Sequence, residues 1–174
     1  MTSRPRSTLE LVQPSPELRD AWLEAHHEWG PGLHEDGFGI GPADDVESAD
    51  GFRAWLERLR HDPTSLWWIV DAGTVLGGIA LRCAEDGRVP RLGHVGYGVR
   101  PSARGRGVGT WALREVLTFA EEHGWDSVTA VCHDDNAGSI ATLERVGGII
   151  VAREDRGAVR LRRYAIPLGN PTVR

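Results

Sequence analysis

Between Tyr97 and Thr110 the sequence reads Tyr-Gly-Val-Arg-Pro-Ser-Ala-Arg-Gly-Arg-Gly-Val-Gly-Thr. Glycine at alternate positions, Gly105, Gly107 and Gly109, strips side chains from this stretch, so successive backbone N–H groups can approach a ligand closely. A helical pattern opens at the same point, and the unpaired N–H groups and positive dipole end of a helix start favour an anion. Arg104 and Arg106 add mobile positive charge. The chemistry that suits this combination is the binding of a pyrophosphate. A glycine-rich turn that merely eases tight packing is the plainer alternative. A dinucleotide fingerprint fits less well, because the spacing is G-x-G-x-G instead of G-x-G-x-x-G and the stretch follows hairpin-like segments.

Other chemistries lack their residues. All 20 basic residues are arginine, which removes Schiff-base enzymes, phosphate loops ending in G-K-[ST] and kinases built around a strand lysine. His27-Glu28 and His34-Glu35 are not followed by the second histidine of H-E-x-x-H, and G-x-S-x-G is absent. The two cysteines, Cys83 and Cys132, are too few and too far apart for a disulfide framework or a metal ribbon, so no metal is expected.

The elements that must position the glycine-rich turn follow from periodicity. The chain has 174 residues, of which 40% are hydrophobic and 26% charged, and reads as one soluble domain, 1–174. Strand-like segments run from Thr8 to Val12, Ser65 to Asp71, Val75 to Arg82, Arg91 to Arg100, Ser127 to Cys132, Ile149 to Arg153 and Ala158 to Ile166. Helical spacing covers Pro16 to His27, Asp45 to Arg60, Gly107 to His123 and Gly138 to Val146, and Trp29 to Pro42 is a long loop. Hairpins followed by alternating strands and helices predict an α+β sheet with helices on its faces. No apolar run is long enough for a signal peptide or a membrane span, so the expected compartment is the cytoplasm. The formal net charge of −5 argues against a nucleic-acid partner.

Charge is segregated. Nine acids and no arginine lie between residues 20 and 52, and six arginines and no acid between 87 and 114. These are either two solvated faces of unlike sign, or a protein with two ligands, a polyanion on the basic stretch and a cation on the acidic one.

Arg104-x-x-Gly107-x-Gly109, after a strand ending Val99-Arg100-Pro101, resembles the acyl-CoA-binding motif of the GNAT superfamily of acetyl-CoA-dependent N-acetyltransferases. Asn136-x-x-Ser139-Ile140-x-x-Leu143-Glu144-Arg145-x-Gly147 is similar to the superfamily's next strand-to-helix segment. The likeness covers about residues 91–150, the acyl-CoA-binding core; residues 1–90 would be the variable acceptor-side half and 151–174 the C-terminal strands. It implies a mixed, mostly antiparallel twisted sheet with a strand splay that takes acetyl-CoA as co-substrate. Backbone groups of Tyr97, Gly98 and Val99 would pair with the pantetheine arm. Amides from Arg104 through Gly105, Arg106, Gly107, Val108 and Gly109 to Thr110 would hold the pyrophosphate. Asn136 would bond the pantetheine or cap its own helix, and Ser139 would face the thioester. Where the superfamily often has a tyrosine that protonates the leaving thiolate, this chain has Leu143.

The implied reaction is acetyl transfer to a primary amine of a small molecule, or less readily of a protein, by direct attack in a ternary complex. The amine must lose a proton, which suits a group titrating near neutrality. His94, on the strand flanking the thioester, and His133, ending the next strand, are the candidates, each equally readable as a structural hydrogen-bonder. Tyr97 is a candidate acid, or a packing residue. The acidic loop from Glu28 to Asp50, with Trp29, His34 and Phe38, would suit a cationic acceptor. A non-catalytic acyl-CoA sensor is the competing class, and the acceptor's identity and any homodimer stay open.

Overall fold

The computed structural model describes residues 8–30 and 37–169. Among them are seven strands in one sheet: β1 (Leu9–Val12), β2 (Ser65–Asp71), β3 (Thr74–Leu81), β4 (Val95–Val99), β5 (Ser127–His133), β6 (Ile149–Arg156) and β7 (Val159–Pro167). Their spatial order is β1-β2-β3-β4-β5-β7-β6, and every pair is antiparallel except β4 with β5. Five helices accompany the sheet: α1 (Arg19–Trp29), α2 (Ala49–His61), α3 (Val89–Leu92), α4 (Val108–Glu122) and α5 (Ala137–Arg145). No helix of the described residues is long and apolar enough to cross a membrane.

Each face of the sheet has its own core. On one, α4 turns Val108, Ala112, Leu113, Val116, Leu117 and Ala120 onto Ile79, Leu81 and Val95, the helical stripe meeting alternate strand residues. On the other, Trp22 of α1 and Phe52 and Trp55 of α2 enclose Trp68 and Val70 of β2. Trp22 stands edge-on to Phe38, with ring centroids 5.6 Å apart. Phe38 and Trp68 are fully buried. Residues 37 and 38 lie directly on the sheet: a Cβ at Gly37 would come within 2.4 Å of the Gly78 carbonyl oxygen and 2.7 Å of the Gly98 nitrogen.

Relative to the sequence expectation, helix α1 starts at Arg19 after a 3-10 turn over Pro16–Leu18, β6 runs on to Arg156, and two other boundaries move by four residues. Helix α2 begins at Ala49, not Asp45, because Asp45 accepts from the N–H groups of Glu47 and Ser48, and the Ser48 hydroxyl caps the Gly51 N–H at 3.0 Å. The strand expected from Arg91 to Arg100 begins only at Val95, because Arg91 and Leu92 belong to α3, residues 89–92. Pro90 fits a first helical turn, and Asp86 accepts from the Arg88 N–H at 2.9 Å to start it. The Arg88 guanidinium, which bonds Asp86, Asp62 and Thr64, holds the Asp86 carboxyl well below the ordinary carboxylate range.

The feature that makes the site is the junction of β4 and β5. β4 pairs with β3 from Gly77↔Val99 to Leu81↔Val95, but meets β5 only at Val95↔Ala130. Beyond that pair the two parallel strands diverge, so the outer edge of Gly96 to Val99 faces a wedge-shaped opening instead of a strand.

Candidate active site

The turn between β4 and α4 is shaped by glycines in the left-handed region. Gly105 has φ +71° and Gly107, the N-cap of α4, has φ +82°, conformations that cost an L-residue roughly 1–2 kcal/mol. A Cβ at either would meet nothing within 4 Å, so the backbone here is bare toward solvent. The first bond closing the helix runs from the Trp111 N–H to the Gly107 carbonyl, 2.9 Å, so the N–H groups of Val108, Gly109 and Thr110 have no carbonyl a turn earlier to bind. They open on a cleft of about 630 Å3 lined by Tyr97, Val99, Arg104, Asn136 and Ser139 among others. An anion placed there meets aligned N–H donors and the positive end of a 15-residue helix.

Arg104 is less mobile than its sequence position implied. Its Nε donates to the Val99 carbonyl at 2.8 Å, and its guanidinium lies over the Trp29 ring, 5.5 Å from the centroid. Arg106 is exposed. Asn136 caps α5: its side-chain oxygen accepts from the Ser139 N–H at 3.0 Å. The cap occupies the carbonyl and not the amide NH2, and Asn136 also lines the cleft, so capping and ligand contact are compatible. Thr110 is buried with its hydroxyl 3.5 Å from that of Thr142.

The cleft continues into the wedge between β4 and β5, where Tyr97, Asn136 and Ser139 line both spaces. The Tyr97 hydroxyl donates to the Ser139 carbonyl at 3.4 Å. Leu143, 1% exposed, contributes an apolar wall to the wedge where the family pattern often has a tyrosine. His133, at the end of β5, is exposed and lines the wedge and a further cleft beyond it.

His94 is placed differently. Its Nδ1 accepts from the Thr129 N–H at 3.0 Å and lies 2.8 Å from the Thr129 hydroxyl, and its ring stands edge-on to Trp125 at 5.4 Å. Burial, with Arg163 nearby, lowers its pKa, as expected for an imidazole whose Nδ1 lone pair is already used. It lines neither the cofactor-side cleft nor the wedge.

Two residues that the sequence reading did not assign to the turn, Glu24 and Glu28 of α1, hold it in place through Arg100 and Ser102. Glu28, near the end of α1, accepts from the Ser102 N–H at 2.6 Å and the Ser102 hydroxyl at 3.0 Å, and also binds the Arg100 guanidinium. The Ser102 N–H, with the Ser102 hydroxyl and Arg100 assisting, lowers the Glu28 pKa. Arg100 is buried and also reaches Glu24 at 2.9 Å. These partners are more than 70 residues apart in sequence, and no local pattern announces them.

Each described acid of the stretch has a partner within the chain, although Asp20, Glu24, Glu47 and Asp50 stay exposed to solvent. Asp20 pairs with Arg19, Glu24 and Glu28 with Arg100, Asp44 with Arg58, Glu47 with His27 and Asp50 with Arg53, while Asp45 caps the turn before α2. Phe38, expected in the acceptor loop, is core. His34, with Glu35 and Asp36, lies outside the described residues. Among the described residues no group of three or more histidine, cysteine, aspartate or glutamate side chains could hold a metal ion.

The family model of the acetyltransferase (GNAT) domain matches residues 8–149. No curated protein matches the chain in sequence. Solved structures are similar at low identity. A probable acetyltransferase has TM-score 0.71 at 20% identity over 96% of this chain and 97% of that one. RimL, a ribosomal L7/L12 alpha-N-protein acetyltransferase in complex with coenzyme A, has TM-score 0.71 at 16% identity over 92% and 94%. The microcin C7 self-immunity acetyltransferase MccE, in complex with acetyl-CoA and AMP, has TM-score 0.65 at 13% identity over 92% and 93%. With the matched domain spanning most of its length, this chain belongs to the GNAT acetyltransferase family.

Proposed function

We propose that the protein moves an acetyl group from acetyl-CoA to a primary amine of a small molecule by direct attack in a ternary complex. The observation that carries this is the continuity of the two spaces through Tyr97, Asn136 and Ser139. A ligand held by its diphosphate at the mouth of α4 reaches the parted strands β4 and β5 with its far end. The coenzyme A and acetyl-CoA complexes of RimL and MccE support the choice of co-substrate.

Bound acetyl-CoA supplies a thioester carbonyl open to nucleophiles. The N–H groups of residues 105–110 hold its diphosphate, assisted by the electrostatic pull of Arg104. The outer edge of Gly98 and its neighbours offers main-chain groups to the pantetheine, as an added strand would. His133, between the wedge and the cleft beyond, takes the ammonium proton before attack. As the C–N bond forms and the C–S bond breaks, the Tyr97 hydroxyl, beside Ser139, protonates the departing sulfur. A thiolate is a good leaving group, so a modest acid suffices where Leu143 replaces the usual tyrosine. His94 orders the start of β4 through Thr129 and takes no part in proton transfer. Among the acids expected to greet a cationic acceptor, Glu28 is engaged by Arg100 and Asp44 by Arg58, and none of the described ones lines the wedge or the cleft beyond it.

Release of free thiol across a panel of primary amines tests the proposal. Acetylated amine and coenzyme A should appear in equal amounts, and Tyr97→Phe should lower kcat by about tenfold or more with coenzyme A affinity intact. Saturable coenzyme A binding without thiol release from any amine, peptide N-termini included, would make the protein a sensor.

A further inference from the structure

We infer that the acceptor is a zwitterion, an amine carrying a carboxylate or phosphate, and that Arg91 and Arg156 receive its anionic group. This rests on the acetyl-transfer reading above and names the substrate class of the same site.

Beyond the wedge, on the far side from the α4 mouth, lies a second cleft of about 350 Å3. It shares Leu92, Val131, Cys132 and His133 with the wedge, so whatever occupies it lies next to the thioester end of the first site. Its size suits a small molecule. Leu92, Val131, Val159 and Leu161 give it apolar walls, Arg91 and Arg156 give it positive charge, and no carboxylate lines it.

The two arginines are differently prepared. Arg156 is fixed: its Nε and one terminal nitrogen bind Glu154, and the other donates to the Arg91 carbonyl at 3.1 Å, tying β6 to α3. Glu154 is also bound by Arg163 at 2.9 Å, so one carboxylate serves two guanidiniums and the neighbourhood keeps an excess of positive charge. The Arg91 side chain is exposed and makes no ion pair among the described residues. A molecule lying along the apolar walls would set its anion against this pair and its amine toward His133, which belongs to both spaces. The charge left unspent near the reacting end is therefore positive, the reverse of the sign suggested by the acidic stretch of the sequence.

The test uses matched amines differing in one group: β-alanine against 3-aminopropanol, O-phosphoethanolamine against ethanolamine, and a short peptide with a free N-terminus. In thiol release, kcat/KM for the anionic member of one pair should exceed that for its neutral partner by about tenfold or more. Arg91→Glu should erase that preference with coenzyme A affinity unchanged, and Arg53→Ala, on distant α2, should not. The pair that responds distinguishes carboxylate from phosphate. If no amine releases thiol, the acetyl-transfer reading fails, and calorimetry of the same pairs against coenzyme A-loaded protein decides the inference by the same preference and its loss in Arg91→Glu. Equal or better use of the neutral amines, turnover of the peptide alone, a preference that survives Arg91→Glu, or absence of binding by any anionic amine overturns it.

Discussion

Glu28→Ala should loosen the turn that presents the α4 amides, although Glu28 lies on a different helix and lines none of the clefts. The carboxylate makes three contacts: the Ser102 N–H at 2.6 Å, the Ser102 hydroxyl at 3.0 Å and the Arg100 guanidinium. Ser102 is exposed, so water replaces its lost partner at little cost. Arg100 is the expensive member. Its side chain is 7% exposed, and without Glu28 it keeps Glu24 and the Val75 carbonyl but loses the acceptor for its Nε. A hydrogen bond to a buried charged group is worth about 1.5–3 kcal/mol, and Glu24 stays in place, so the expected loss is about 2 kcal/mol. In a domain of this size that lowers Tm by roughly 4–8 °C. Glu28→Gln, whose amide oxygen still accepts one bond, should lose about half as much. Coenzyme A affinity should also fall, because the amides between residues 104 and 110 must then be ordered on binding. Thermal unfolding with and without coenzyme A, together with titration calorimetry, measures both effects. A variant with unchanged Tm and unchanged affinity would refute the claim that α1 braces the turn.

Three further outcomes are expected. His94 and His26 both have pKa values lowered chiefly by burial, so the unfolded chain takes up protons first as pH falls. Stability measured by urea unfolding should therefore decline as pH drops through about 6.5 and level off below the folded-state values, and His94→Gln should reduce that decline. Glu28 acts in a separate window: its pKa is lowered by the Ser102 N–H, so its contribution is complete above the ordinary carboxylate value and fades only in stronger acid. Phe38→Ala removes a fully buried ring packed on Trp22 and should destabilise by about 3–5 kcal/mol, read as a lower urea midpoint with an unchanged m-value.

The parts of the fold legible in the sequence are those whose cause is local. Helix α4 is written in the spacing of Val108, Ala112 and Val116, and the bare turn before it in glycines that the left-handed region demands. The β4–β5 splay followed from the family likeness, and the single pair Val95↔Ala130 bears it out. Helix α3 was not legible, because Arg91 to Val95 reads as strand unless Asp86 and Pro90 are recognised as a helix start. The charge blocks were visible, but their meaning was not: whether Glu28 meets solvent, a ligand or Arg100 depends on which elements the sheet brings together. The same holds for His94, whose place at the start of its strand is legible while the occupation of its Nδ1 by Thr129 is not.

A crystal structure of the protein with acetyl-CoA tests most directly whether the open end of α4 holds a diphosphate. Diphosphate oxygens should lie about 3 Å from the main-chain nitrogens of Val108, Gly109 and Thr110, with the pantetheine running along Gly98 into the gap between β4 and β5. A diphosphate seated elsewhere, for instance on Arg91 and Arg156, with the α4 end holding only water, would contradict that placement.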